Sequence, residues 1–154
     1  MTRQSRTSTK HFVTRIIWLL PAALWAVLWT HLVSAETLEI NVDNVRTSNG
    51  TLLLQVMQGE VQFKGEQEPV LSLSEPAKEG TITFVTKDLP PGEYAVRVMH
   101  DENDNFKLDA NFMGIPKEPW GFSNNAQGRF GPPGWDAVRF TVPDMTVVNI
   151  TLNK

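Results

Sequence analysis

Apolar and polar residues alternate along several short runs of this chain, and turn residues separate the runs. In Thr37–Asn44, Leu38, Ile40 and Val42 share one face. A period of two sends successive side chains to opposite sides of a strand, so such a run reads as a half-buried strand. The pattern returns in Thr81–Thr86 and in Glu93–His100, where Tyr94, Val96 and Val98 oppose Glu93 and Arg97. It returns again in Val138–Val142 and Val148–Leu152. Thr51–Met57 is more evenly apolar, as befits a more central strand. Val61–Phe63 and Val70–Leu73 are weaker candidates. Between the runs lie Thr47–Gly50, whose Asn49-Gly50 pair is a hairpin cue, the proline-stiffened Leu89–Gly92, and Pro143–Thr146. No window shows a sustained helical period with caps. The expected fold is all-β: an antiparallel β-sandwich of about seven strands, immunoglobulin-like or transthyretin-like, with a small barrel as the alternative.

The first 35 residues stand apart. Arg3, Arg6, Lys10 and Arg15 precede an apolar run, Ile16–Leu32, and Val33-Ser34-Ala35 follows it with the small residues of a cleavage site. This is the pattern of a secretory signal peptide, expected to be cut before Glu36. An uncleaved anchor is the rival, weakened by Pro21, Thr30 and His31 within the run. The expected organisation is a signal peptide over 1–35 and one β-sandwich domain over 36–154, in an exported protein, periplasmic or secreted.

Removing residues 1–35 takes away four basic residues and no acid, so residues 36–154 carry 10 Lys/Arg against 17 Asp/Glu, a net charge of −7. Such a balance argues against nucleic acid or an anionic membrane as partner. There is no cysteine, hence no disulfide and no thiol nucleophile. His100 is the only histidine after residue 35, so one chain cannot build a zinc site from several His or Cys.

The chemistry-bearing stretch is His100–Asp109. Oxygen-bearing side chains stand at Asp101, Asn103, Asn105 and Asp109, positions one, three, five and nine of a loop. That spacing lets a tightly curled backbone turn several oxygens toward one centre, as calcium requires. The plain alternative is a set of Asx turns. The loop opens residues 101–135, a connection without strand or helix signal. Connections of that length in a compact domain are functional or disordered. This one holds Phe112, Trp120, Phe122, Phe130 and Trp135, more aromatics than disordered chain carries. It is expected to be one long ordered loop, folded over an end of the sandwich with its aromatics tucked in.

The run from Pro91 to Asn103 resembles a bacterial exported family catalogued as domain of unknown function 2141. The resemblance continues through Leu108-Asp109, Gly114–Glu118, Gly121–Asn125, Phe130–Pro133 and Asp136-Ala137, and it covers residues 37–154. It implies a secreted or periplasmic β-sandwich with no established activity. Leu89–Tyr94 is also similar, more weakly, to carboxypeptidase-regulatory and transthyretin-like sandwiches. The family's loop usually has glycine where this chain has Phe106, and an EF-hand loop also takes glycine at that sixth position. Asn105 is expected to supply the left-handed turn instead. The EF-hand's twelfth-position glutamate is Phe112 here, so any calcium affinity is expected to be modest, roughly 10⁻⁴–10⁻³ M.

Three roles follow for the domain. The leading one is a non-catalytic exported module in which calcium, held by Asp101, Asn103, Asn105 and Asp109, orders the long loop as a binding or assembly surface. Its partner would be a protein or glycan at the cell surface or in the periplasm. The second is a carbohydrate-binding module in which Trp120 and Trp135, with Phe122, present rings for stacking. The third is a hydrolase using His100, with Ser123, or the acids Asp101, Asp104, Asp109 and Glu118. A histidine with no triad around it is more simply an imidazole bonded to loop backbone.

Overall fold

The computed structural model describes residues 36–153. The expected signal peptide lies outside them. Eight strands form two sheets: β1 (Glu36–Val45), β2 (Thr51–Gln58), β3 (Leu71–Pro76), β4 (Gly80–Leu89), β5 (Gly92–Asp101), β6 (Trp120–Phe122), β7 (Phe140–Val142) and β8 (Val147–Thr151). One sheet has the order β4-β1-β8; the other has β3-β2-β5-β6, with β7 also paired to β5. The pairs are antiparallel except β1 with β8, which run parallel in the register Ile40↔Val148 and Val42↔Ile150. The all-β sandwich expected from the alternation is the observed architecture.

The inward positions are those that the period of two selects. Leu38, Ile40 and Val42 of β1 join Leu52, Leu54 and Val56 of β2, Tyr94, Val96 and Val98 of β5, and Val148 and Ile150 of β8 in one buried cluster. Each such aliphatic side chain contributes about 1.5–3 kcal/mol by leaving water. A second, smaller cluster of Met57, Ala95 and Val138 packs against Phe63, Phe122, Ala126 and Trp135. Thr51–Met57 is central as expected, since β2 lies between β3 and β5.

Four expectations are corrected. Asn49-Gly50 does not close a hairpin, because β1 and β2 belong to different sheets. The turn instead carries the chain across the sandwich. It is held there by His100 Nε2, which donates to Asn49 O at 2.6 Å. Val61–Phe63 is not a strand: Gly59–Phe63 is a short helix, α1. Its polar residues pair along the helix, Glu60 with Lys64 at 2.8 Å, while Phe63 folds onto Phe122 and Trp135.

Residues 101–135 are not free of regular structure. They contain β6 and a 3₁₀ turn, Ser123–Asn125. β6 has three residues, too few to display a period, and its central Gly121 is pressed onto the other sheet. A Cβ there would lie 2.5 Å from Ile150 Cγ2. Finally, the strand placed at Val138–Val142 begins at Phe140, because Trp135–Val138 forms a second short helix, α2, that buries Val138.

Candidate functional site

β5 carries its inward alternation to His100, which is fully buried, and Asp101, one residue on and so outside that alternation, is fully buried as well. Asp101 there works as a backbone acceptor: Oδ1 takes the N–H of Asn105 at 3.1 Å and Oδ2 takes that of Phe106 at 2.7 Å. Asn103 Oδ1 accepts from Asn105 N at 3.1 Å and Asn105 Oδ1 accepts from Lys107 N at 2.8 Å, two successive Asx turns. The loop then closes on Asp109. Asn103 Nδ2 donates to Asp109 Oδ2 at 2.8 Å, and Asn105 Nδ2 donates to Asp109 Oδ1 at 3.1 Å. The structure therefore brings together all four residues that the spacing singles out.

Glu118 braces this knot from outside the loop. It is buried, and its two oxygens accept the N–H groups of Glu102 at 2.9 Å and Asp109 at 2.8 Å. Thr51 Oγ1 donates to Asp104 Oδ1 at 2.8 Å and ties the loop to β2. The bracing role of Glu118 left no mark in the loop spacing, since it depends on the chain returning after nine residues to bond Asp109. A buried carboxylate needs such partners to offset its lost hydration, so a lone acid between Lys117 and Pro119 was the available sign.

The left-handed turn falls on Phe106 (φ 61°) and Asp104 (φ 57°), not on Asn105. The reason is the hydrogen-bond pattern. Asn105 directs its N–H to both Asp101 and Asn103, and the chain must then reverse at Phe106 for the next N–H to reach Asp101 Oδ2. Position six thus has the backbone that glycine would adopt with less strain.

The donor set suits a hard cation. Asp101 and Asp109 supply carboxylates and Asn103 and Asn105 supply amide oxygens. A carbonyl oxygen has two lone pairs, so an Asx-turn oxygen can accept a backbone N–H and also face an ion. The twelfth-position Phe112 is 97% exposed and offers no oxygen. Among the described residues, no three His, Asp or Glu side chains form a metal-holding group. Any cation here would depend on the Asn103 and Asn105 amide oxygens beside the Asp101 and Asp109 carboxylates.

His100 has the plainer of its two roles. A carbonyl can only accept, so the bond to Asn49 O places the proton on Nε2, and Nδ1 is buried without a partner among the described residues. Ser123 is also buried. Its Oγ donates to Val138 O at 2.6 Å and accepts Val96 N at 3.0 Å, which continues the β5 ladder where β6 stops.

The aromatics of residues 101–135 divide in two. Phe112 and Phe130 are not tucked in: they are 97% and 99% exposed, and Phe106 is 74% exposed. The segment is tied down by its polar residues, and its backbone bonds to itself, as in Asn111 N to Ile115 O, so these rings have no core to enter. Trp120 and Phe122 meet edge to face at 5.6 Å on the outer side of the five-stranded sheet. Trp135 packs with Phe63 in the second cluster. Among the described residues no direct ring contact joins Trp120 to Trp135; Phe122 and Phe63 stand between them.

Trp120 and Phe122 instead line a groove of about 660 Å³ across that outer face. Its floor is two rows of the sheet: Leu53, Met99 and Trp120 in register, then Gln55, Arg97 and Phe122. Phe106, Leu108 and Pro132 rise beside it, so the Asp/Asn loop walls the groove. Arg97 Nε donates to Gln55 Oε1 at 2.5 Å. Partial burial holds the Arg97 guanidinium below the usual arginine value. Leu53 and Met99 were the legible hint of this groove, being apolar at outward positions of their strands.

A family model described as "Uncharacterized protein conserved in bacteria (DUF2141)" matches residues 40–151. No curated protein and no solved structure matches the chain.

Proposed function

The chain belongs to this uncharacterised bacterial family, and from that premise we propose that it is a non-catalytic binding module of an exported protein. Calcium held by Asp101, Asn103, Asn105 and Asp109 stiffens the segment from Asp101 to Glu118, which walls the groove on the five-stranded sheet. The observation that carries this reading is the closure of the loop on Asp109, whose carboxylate meets both Asn103 and Asn105 while Asp101 anchors the turn between them. The basic and apolar residues of 1–35 and Val33-Ser34-Ala35 support export. The engagement of His100 and Ser123 with backbone groups supports a binding role over hydrolysis. The surface beside the loop, with Phe106, Phe112 and Phe130 exposed, suits a partner at the cell surface or in the periplasm.

Amide hydrogen exchange of the purified protein tests the reading. With calcium, the amides of Asn105, Phe106 and Lys107 should exchange more slowly than with chelator, while those of β1 should not change. Equal exchange in both conditions would remove calcium from the proposal.

A further inference from the structure

The groove on the five-stranded sheet has an unusual charge for its surroundings. Residues 36–154 carry a net −7, yet no acid lines the groove and Arg97 is its one charged residue. Among the described residues Arg97 donates only through Nε, to the neutral Gln55 amide. Arginine has five N–H donors in a planar fork that matches a carboxylate. An outward-facing guanidinium with no anionic partner among the described residues has N–H donors left for one. One register step away the floor becomes apolar, with Leu53, Met99 and Trp120. Two residues along a strand span about 7 Å. Phe106 and Leu108 extend the apolar side upward.

We propose that this groove binds a small amphipathic carboxylate, with its charged end on Arg97 and its apolar body on Leu53, Met99 and Trp120. The volume, about 660 Å³, is that of a small-molecule site, and an apolar lining with one oriented polar group is the usual composition of such sites. A sugar would need polar groups distributed around its ring. Here the polar lining is confined to Gln55, Ser72, Ser74 and Arg97, and the rest is aliphatic or aromatic. The inference rests on the reading of the domain as a binding module. It does not require calcium, because Arg97 and Trp120 are placed by the sheet.

Isothermal titration of the purified protein tests it, with three probes: sodium decanoate below its micelle concentration, 1-decanol, and trigalacturonate. Decanoate should bind saturably at one site. Decanol, which lacks the charge, should bind at least about tenfold more weakly, the scale of a lost charge-assisted bond. Arg97→Gln should weaken decanoate by a similar factor, and Arg97→Lys should restore part of it. Both variants should melt with wild type, since Arg97 is exposed and outside the core. Equal binding of decanol, or undiminished binding by Arg97→Gln, would overturn the proposal. So would binding of trigalacturonate alone, which would mark a glycan site, or no binding of any probe. The exchange experiment tests the loop and the titration tests the groove, so either can fail without the other.

Discussion

The backbone N–H of Phe106 donates to Asp101 Oδ2 at 2.7 Å from a left-handed backbone, φ 61°. A residue with a Cβ is strained there by roughly 1–2 kcal/mol, and glycine is not. Phe106 is also 74% exposed, so its ring contributes little burial. Phe106→Gly should therefore melt no lower than wild type. Phe106→Ala should be less stable than Phe106→Gly by about 1 kcal/mol in denaturant unfolding. The reverse order would show that the ring, not the turn, governs stability here.

Asp101 is the loop's anchor. Removing its carboxylate leaves the Asn105 and Phe106 N–H groups without their acceptor. Hydrogen bonds to a charged group each contribute about 1.5–3 kcal/mol, so Asp101→Ala should lower unfolding stability by about 3 kcal/mol. Asp104→Ala, which loses one exposed bond from Thr51, should cost less than about 1 kcal/mol. Equal losses would contradict the anchoring role.

The strands were legible because burial on one face imposes a period of two over five or more residues, as in Leu38–Val42 and Tyr94–Val98. The Asp/Asn loop was legible because its four residues lie within nine positions, so spacing alone encodes their meeting. What was not legible depends on long-range pairing. Asn49-Gly50 encodes a reversal but not which sheet receives the next strand. The groove joins Leu53, Arg97 and Trp120 only through the β2-β5-β6 order, and three-residue β6 carries no period to announce that order. Glu118 belongs to the same class, as a brace placed by the chain's return.

Gly50 marks the crossing between sheets. It has φ 72°, and a Cβ there would lie 1.9 Å from Asp101 O. Strain and overlap together make Gly50→Ala destabilising by about 3 kcal/mol. The loss should appear as a lower unfolding midpoint and faster exchange of the amides that Asp101 holds. A neutral effect would mean that the turn does not pack on the end of β5.

Tyr94 is the only tyrosine, so its titration can be read without ambiguity. It is fully buried, with its hydroxyl donating to Pro90 O at 2.7 Å. Burial disfavours the phenolate and raises its pKa above the ordinary 10.0. A value raised in the folded state makes the group's contribution to stability full below about pH 10 and lost as pH climbs toward the folded value. Ultraviolet absorbance should show phenolate forming above pH 10, together with unfolding. Ionisation at the ordinary value in a folded protein would contradict the burial.

The proposal that calcium binds here has the most direct test: thermal melts of the purified protein in about 10 mM calcium and in chelator. A ligand at ten times its dissociation constant stabilises the folded state by about 1.4 kcal/mol, a rise of about 4 °C or more for a domain of this size. The rise should saturate with calcium and should vanish in Asp109→Asn, which removes a carboxylate but leaves a side chain of the same shape. Identical midpoints with calcium and with chelator would reduce Asp101–Asp109 to a turn that satisfies itself, and would contradict its role as a metal site.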